Sequence, residues 1–247
     1  MTVEESDVRL ATRLATEAGE LLLALQRNGD LEGKALGAEG DRIANAYLCR
    51  SLRELRPDDA LLSEEEKDNG ERLSARRVWI IDPLDGTREY GEGRTDWAVH
   101  VALAIDGVAT VGAVALPGLD VTLSSGAAIK SARPNKPFRM VVSRTRPAAE
   151  AVEVARLIGA ELVPMGSAGA KAMAVVRGEA DIYLHTGGQY EWDNCAPVAV
   201  AEAAGLHVSR VDGSPMRYNN ADTSLPDLLI CRSELADIAL KAVASRG

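Results

Sequence analysis

Three groups of carboxylates carry the chemistry available to this sequence: Ser63-Glu64-Glu65-Glu66, Asp82-Pro83-Leu84-Asp85-Gly86-Thr87 and Glu191-Trp192-Asp193. Each lies beside an apolar segment: the first after Leu61-Leu62, the second after Val78-Trp79-Ile80-Ile81, the third before a helical pattern starting at Asn194. The middle group is the most informative. A strand that runs into Asp-Pro must turn, because proline has no N–H to give a ladder, and Asp-Gly bends the chain again. Both carboxylates are thereby held at the carboxyl end of a buried strand, where α/β sheets place their sites. Carboxylates crowded in that way repel unless cations bridge them, and hard oxygen donors suit Mg²⁺. Taken singly, Asp-Pro and Asp-Gly are ordinary turn dipeptides, Glu64 to Glu66 a solvated charge run and Asp193 a helix N-cap. Their shared placement at element ends favours the cation site.

The rest of the composition bounds the partners. The chain has 247 residues with a net charge of −9, 46% of them hydrophobic and only 4% aromatic, so its core is built from Ala, Val, Leu and Ile. That length suits one large domain or two small ones sharing a core. The acidic balance argues against nucleic acid, which demands clustered Lys and Arg, yet leaves a small phosphorylated substrate open, since bound cations can present positive charge to phosphate. Asp82 and Asp106 interrupt the longest apolar stretches, so no membrane span is expected. The acidic start Met1-Thr2-Val3-Glu4-Glu5 is unlike a signal peptide. Cys49, Cys195 and Cys231 lack C-x-x-C spacing and read as reduced, semi-buried thiols. The expectation is a cytoplasmic protein.

The elements that position the carboxylates follow from periodicity. Leu10, Leu14, Ala18, Leu21, Leu22 and Leu25 predict a helix over 4–27, closed by Gly29. A Gly-rich loop through Gly33, Gly37 and Gly40 is expected next, then a helix over 42–56 with Asp41 at its N-cap. Strands are predicted at 78–81, 97–105 and 108–116, the last two joined by the hairpin signal Asp106-Gly107, with a further strand at 121–124. Residues 131–137 read as a connection. Beyond it, strands at 140–142, 161–164, 181–184 and 228–230 alternate with helices at 148–158, 167–177, 194–204 and 233–244, a layered α/β pattern. The division expected is an N-terminal α+β part, residues 1–133, carrying most of the candidate ligands, and a C-terminal α/β part, residues 134–247, completing the site.

At this point the sequence resembles a known family. Trp79-Ile80-Ile81-Asp82-Pro83-Leu84-Asp85-Gly86-Thr87 is similar to the signature of the inositol monophosphatase superfamily. Glu191-Trp192-Asp193-Asn194-Cys195-Ala196-Pro197 resembles its W-D-x-x-A-P pattern and Ser63-Glu64-Glu65 its S/G-E-E segment, in the family's order across nearly the whole chain. The resemblance implies an αβαβα sandwich and a phosphomonoesterase using Mg²⁺, two or three ions. It implies Glu64 (preferred over Glu65), Asp82, the Leu84 carbonyl, Asp85 and Asp193 as metal ligands. It also implies that Glu64 and Thr87 position the attacking water and that Asp41, paired with Thr87, helps to activate it. The chain departs from the family at Ala38, where Thr is common, and in the Gly-rich approach to Asp41 where the family has a Lys-containing loop.

Finer matches point within the superfamily. Thr87-Arg88-Glu89-Tyr90 resembles the T-K/R-E-F/Y of the 3′(2′),5′-bisphosphate nucleotidases, Ser143-Arg144-Thr145-Arg146 their S-R-S-H, and Gly166-Ser167-Ala168-Gly169-Ala170-Lys171 their G-G-A-G-N-K type loop. The implied reaction removes the 3′-phosphate of 3′-phosphoadenosine 5′-phosphate (PAP), or of its sulfated form, in sulfur metabolism and nucleotide recycling. Asp85, Gly86, Thr87 and Asp193 would meet the phosphate that is cleaved. Ser143, Arg144, Gly166, Ser167 and Lys171 would offer donors to the second phosphate, and His185 would touch base or ribose. His100 alternates with apolar neighbours and reads as packed in a sheet. Lithium sensitivity and a homodimer are further implications of the resemblance. Inositol 1-phosphate or fructose 1,6-bisphosphate hydrolysis, and a non-catalytic nucleotide sensor, are the rival readings.

Overall fold

Helix α1 (Asp7–Asn28) buries Leu10, Leu14, Ala18 and Leu22 along one stripe and stops at Gly29, as its spacing predicts. These facts come from a computed structural model that describes residues 5–127 and 137–245. The connection expected over 131–137 therefore lies, but for Pro137, outside the described residues.

The second helix corrects the sequence reading. It is α2 (Gly33–Leu55), so the expected glycine loop is its first turns, its N-cap is Glu32, and Asp41 sits inside the helix. Glycines cost helix about 1 kcal/mol each relative to Ala, and here close packing offsets that cost. A Cβ at Gly37 would stand 2.6 Å from Thr87 Cγ2, and one at Gly40 2.9 Å from the Tyr90 ring. The helix can approach the short helix α3 (Thr87–Gly91) only where side chains are missing.

The first sheet has the order β1-β2-β3-β4-β5, built from β1 (Ala60–Ser63), β2 (Arg77–Asp85), β3 (Ala98–Ile105), β4 (Val108–Leu116) and β5 (Val121–Ser124). β1 and β2 are parallel and the remaining pairs antiparallel. β1 escaped the sequence reading because four residues carry too little pattern. β2 does not turn after Ile81 as expected but runs through Pro83 to Asp85. β1 has already ended, with Ser63 opposite Ile81, and the β2–β3 register shifts between Asp82 and Asp85, an irregularity that tolerates a proline.

The second sheet has the order β7-β6-β8-β10-β9, from β6 (Arg139–Ser143), β7 (Glu161–Met165), β8 (Ile182–Tyr190), β9 (His207–Ser209) and β10 (Ser224–Cys231). Helices α4 (Ala149–Ile158), α5 (Ala168–Val176), α6 (Glu191–Ala203) and α7 (Ala236–Ala244) complete the chain. α6 begins at Glu191 and not at Asn194, because the Asp193 carboxylate accepts from Tyr190 N at 2.6 Å and closes a capping box. Asp193 is thus inside the first turn, not its N-cap.

Three apolar clusters hold five layers of structure together. One joins α1 and α2 to the first sheet through Leu14, Leu48, Trp79 and Val101. The second holds α5 and α6 between the two sheets, with Ile80, Met173, Val198 and Ile230 in contact. The third packs α4 and α7 on the far face of the second sheet through Val154, Leu184 and Ala239. This is the αβαβα sandwich expected. No helix among the described residues is long and apolar enough to cross a membrane.

Candidate metal centre and active site

The parallel pair β1–β2 brings the first two carboxylate groups together. Ser63 lies opposite Ile81, so Glu64, just past the end of β1, stands beside Asp82 in the last residues of the parallel strand β2. Asp82 is 1% exposed and accepts from Leu84 N at 3.0 Å, which fixes the bend between the two aspartates. Asp85 reaches the N-terminus of α5, where its two oxygens accept from Ala168 N (3.1 Å) and Gly169 N (2.6 Å). Two amides at a positive helix end suit a carboxylate. The first turn of α6 supplies Asp193. One oxygen from each of Asp82, Asp85 and Asp193 falls within 4.8 Å of the others. Residues far apart in sequence thus form one acidic cage, where their spacing along the chain had placed them by inference only.

The electrostatics of the cage are those of a site short of positive charge. Burial drives the Asp82 carboxyl well above its ordinary range, and Glu64, Asp85 and Asp193 add to the effect. Burial also pushes Asp193 up to about 7, with Asp85 contributing. Glu64 rises too, first through loss of water and then through Glu65, Asp85 and Asp41. Its side chain stands on the exposed rim, so water screens it more than Asp82. Asp85 behaves differently: burial opposes its charge, but His100, the α5 amide and Lys171 outweigh burial and hold it below the usual value. Oxygen donors alone, crowded and forced toward protonation, are what a hard divalent cation relieves.

Beside the cage lies a hydroxyl. Thr87 Oγ1 donates either to the Leu84 carbonyl, 3.2 Å away, or to Asp41 Oδ1, 3.5 Å away. One proton serves only one of them at a time. Burial, then Glu65, lifts Asp41 to about 7 despite the Thr87 contact. Asp41 and Thr87 are therefore a pair, and the capping role considered for Asp41 falls with the helix boundary.

The remaining candidates are distributed unevenly. Ser167 caps α5, accepting from Ala170 N at 2.9 Å, and Gly166 N donates to Asp96 at 2.6 Å. Lys171 is buried, its ammonium donating to the carbonyls of Gly166 and Ser167, both at 2.5 Å, and lying 5.5 Å from the Tyr183 ring centre. Burial lowers its pKa against the pull of Asp85 and Glu89. Arg144 is occupied by Glu89 (2.7 Å) and Glu92 (2.6 Å). Ser143 accepts from Arg146 N at 3.2 Å. His185, half-buried on β8, is 6.3 Å from the Tyr183 ring centre, with its pKa lowered first by burial and then by Lys171. Gly86, the N-cap of α3, packs so closely on Ser167 that a Cβ there would stand 3.0 Å from the Ser167 Cβ, so the two halves of the chain meet there.

Asp96, Glu89 and His100 were not among the candidates. Asp96, just before β3, holds the Gly166 turn, and Glu89 of α3 holds Arg144. The signal for His100 was parity: it shares its face of β3 with Ala98, Ala102 and Ala104, small residues directed at the central helices.

Comparison with known proteins gives the chain a family. The model of the inositol monophosphatase family matches residues 4–245. A protein of Mycobacterium leprae named 3′-phosphoadenosine 5′-phosphate phosphatase is 50% identical, the match covering 97% of this chain and 94% of that protein. The 3′(2′),5′-bisphosphate nucleotidase CysQ of Escherichia coli is 31% identical over 86% of this chain and 94% of its own. Among solved structures, inositol monophosphatase II of Staphylococcus aureus superposes with a TM-score of 0.80 at 20% identity, covering 96% of this chain and 95% of that one.

Proposed function

Since the chain belongs to the inositol monophosphatase family, we propose that it is a Mg²⁺-dependent phosphomonoesterase that removes the 3′-phosphate of PAP, giving AMP and phosphate. The observation that carries the reading is the cage of Asp82, Asp85 and Asp193 oxygens within 4.8 Å of one another. The substrate is drawn from the likeness to the M. leprae and E. coli proteins, which are named for that nucleotide class.

The donor set fits Mg²⁺: all oxygen, anionic and starved of counter-charge. Asp82, Asp85, Asp193, Glu64 and the Leu84 carbonyl would hold two or three such ions. Bound there, the ions supply Lewis acidity toward phosphate, a lowered water pKa and neutralisation of the leaving oxygen. The chain's own part is positional. Thr87 Oγ1 receives a proton from the attacking water while passing its own to Asp41 Oδ1. Glu64, on the open rim, orients the same water. The amides at the start of α5 hold Asp85 in place. Gly86 stays with Asp85, Thr87 and Asp193 at the phosphate that is cleaved, and a second phosphate is assigned to Ser143, Arg144 and the Gly166-Ser167 turn, with His185 beside the nucleoside. Arg144 would donate to that phosphate by giving up Glu92, whose side chain is 45% exposed, while keeping Glu89. Lys171 acts from behind, fixing the turn through its two carbonyl contacts.

The test is a substrate panel with Mg²⁺, with chelator and with added Li⁺. PAP hydrolysed faster than inositol 1-phosphate or fructose 1,6-bisphosphate, abolished by chelation and weakened by Li⁺, is the expected result. Preference for inositol 1-phosphate or fructose 1,6-bisphosphate overturns the substrate, and tight PAP binding without phosphate release overturns the enzyme. Mg²⁺ at a hundred times its Kd should also stabilise the fold by about 2.7 kcal/mol, a rise of about 5–11 °C in Tm for a chain of this size.

A further inference from the structure

His100 is fully buried, yet both its ring nitrogens face oxygen. Nδ1 lies 3.0 Å from the Trp192 carbonyl, and since a carbonyl only accepts, Nδ1 carries the hydrogen. Nε2 lies 3.2 Å from Asp85 Oδ2, at ion-pair distance but outside hydrogen-bond alignment, and since a carboxylate also only accepts, the ring draws Asp85 in when Nε2 carries a hydrogen too. Trp192 is the neighbour of Asp193 in the first turn of α6, and His100 sits directly across the β2–β3 ladder from Asp82. One ring therefore spans from the strand end carrying Asp82 and Asp85 to the helix turn carrying Asp193. The elements have closed around it. Ala98, Ala102 and Ala104 leave the volume it fills on that face of β3. Gly169, whose amide also holds Asp85, is so near that a Cβ there would stand 2.1 Å from Nε2.

We propose that His100 is a positioning residue: it holds Asp85 and the Asp193 turn at the separation that cation binding requires, and so sets the affinity of the site for Mg²⁺. The inference rests on the metal-site reading given above. Crowded carboxylates repel and would drive β2 and α6 apart. The capping contact of Asp193 ties it to Tyr190 at the end of β8, and the amides holding Asp85 belong to α5. The ring is the link that runs directly from Asp85 to the α6 turn. Partners of this kind behind a ligand tune metal affinity by about 10–100-fold when removed.

The experiment compares His100→Leu, which keeps the bulk and loses both nitrogens, with His100→Gln, which can still donate toward Asp85. Mg²⁺ binding is measured by calorimetry on the full chain, and KM for PAP at saturating Mg²⁺. The expected result is a Kd for Mg²⁺ raised about 10–100-fold in His100→Leu, largely recovered in His100→Gln, with KM little changed in both. Wild-type Mg²⁺ affinity in His100→Leu, or equal losses in the two variants, overturns the proposal. Should His100→Leu not fold, the wild-type protein supplies the answer by NMR. The chain has 3 histidines, so the His100 ring signal is assigned by its absence in His100→Gln. It should shift as Mg²⁺ is titrated, and a signal indifferent to Mg²⁺ overturns the role. A wild-type chain that binds no Mg²⁺ at all would instead remove the metal-site reading itself.

Discussion

Asp82→Asn should lower Mg²⁺-dependent hydrolysis by about a thousandfold or more while leaving the metal-free protein at least as heat-stable as the parent. The two halves of this expectation come from the same fact. Asp82 is a buried carboxyl crowded by Glu64, Asp85 and Asp193, which raises its pKa, so it costs the empty fold stability. Asn at that position removes the charge and its repulsion, and its side-chain oxygen still accepts from Leu84 N. The lost anionic ligand costs the bound ions several kcal/mol of transition-state stabilisation, and each 1.36 kcal/mol is tenfold in rate. The checks are phosphate release and thermal melts with and without Mg²⁺. The parent's Tm should climb with Mg²⁺ and the variant's should not. Near-parental hydrolysis would sink the ligand assignment, and a large loss of Tm without metal would contradict the crowding.

How much of this was readable beforehand differs between site and scaffold. Asp82, Asp85 and Asp193 stand out because each follows or opens a strongly patterned element, but it was the family resemblance, and not local pattern, that joined them into one site. The long strands β3 and β4 and the helices α1, α4 and α5 were legible from local pattern. What escaped was set by contacts between distant segments. The first turns of α2 look like a loop because Gly33, Gly37 and Gly40 are poor helix formers, and only the packing of Thr87 and Tyr90 against them explains the choice. Proline in β2 is acceptable because β1 ends two residues earlier in register, a fact about a four-residue strand that has no sequence pattern of its own. Arg144 read as a free phosphate donor, but Glu89 and Glu92 reach it from the other half of the chain. His100 was set aside on its apolar neighbours, although the same neighbours, all alanine on its face, made the space that aims it at Asp85.

The helical placement of Asp41 leads to the second large effect. Thr87→Ala should reduce kcat on PAP by about 10²–10⁴-fold, the span typical of a lost proton-transfer group, with KM changed far less. Thr87 Oγ1 is a hydroxyl within reach of both Asp41 Oδ1 and the Leu84 carbonyl. It contributes no charge to the cage, so Mg²⁺ affinity should stay near that of the parent, unlike Asp82→Asn. Burial lifts Asp41 to about 7, which leaves it able to accept a proton near neutrality, where a general base works best. Thr87→Ser keeps the hydroxyl and loses only the methyl that fills the gap at Gly37, so most activity should return. Steady-state kinetics on the two variants, paired with Mg²⁺ calorimetry, separate the possibilities. If Thr87→Ala and Thr87→Ser are equally impaired, the methyl and its packing matter and the proton relay does not. If Thr87→Ala instead loses Mg²⁺ binding, the hydroxyl serves the geometry of Leu84 and the water is activated without it.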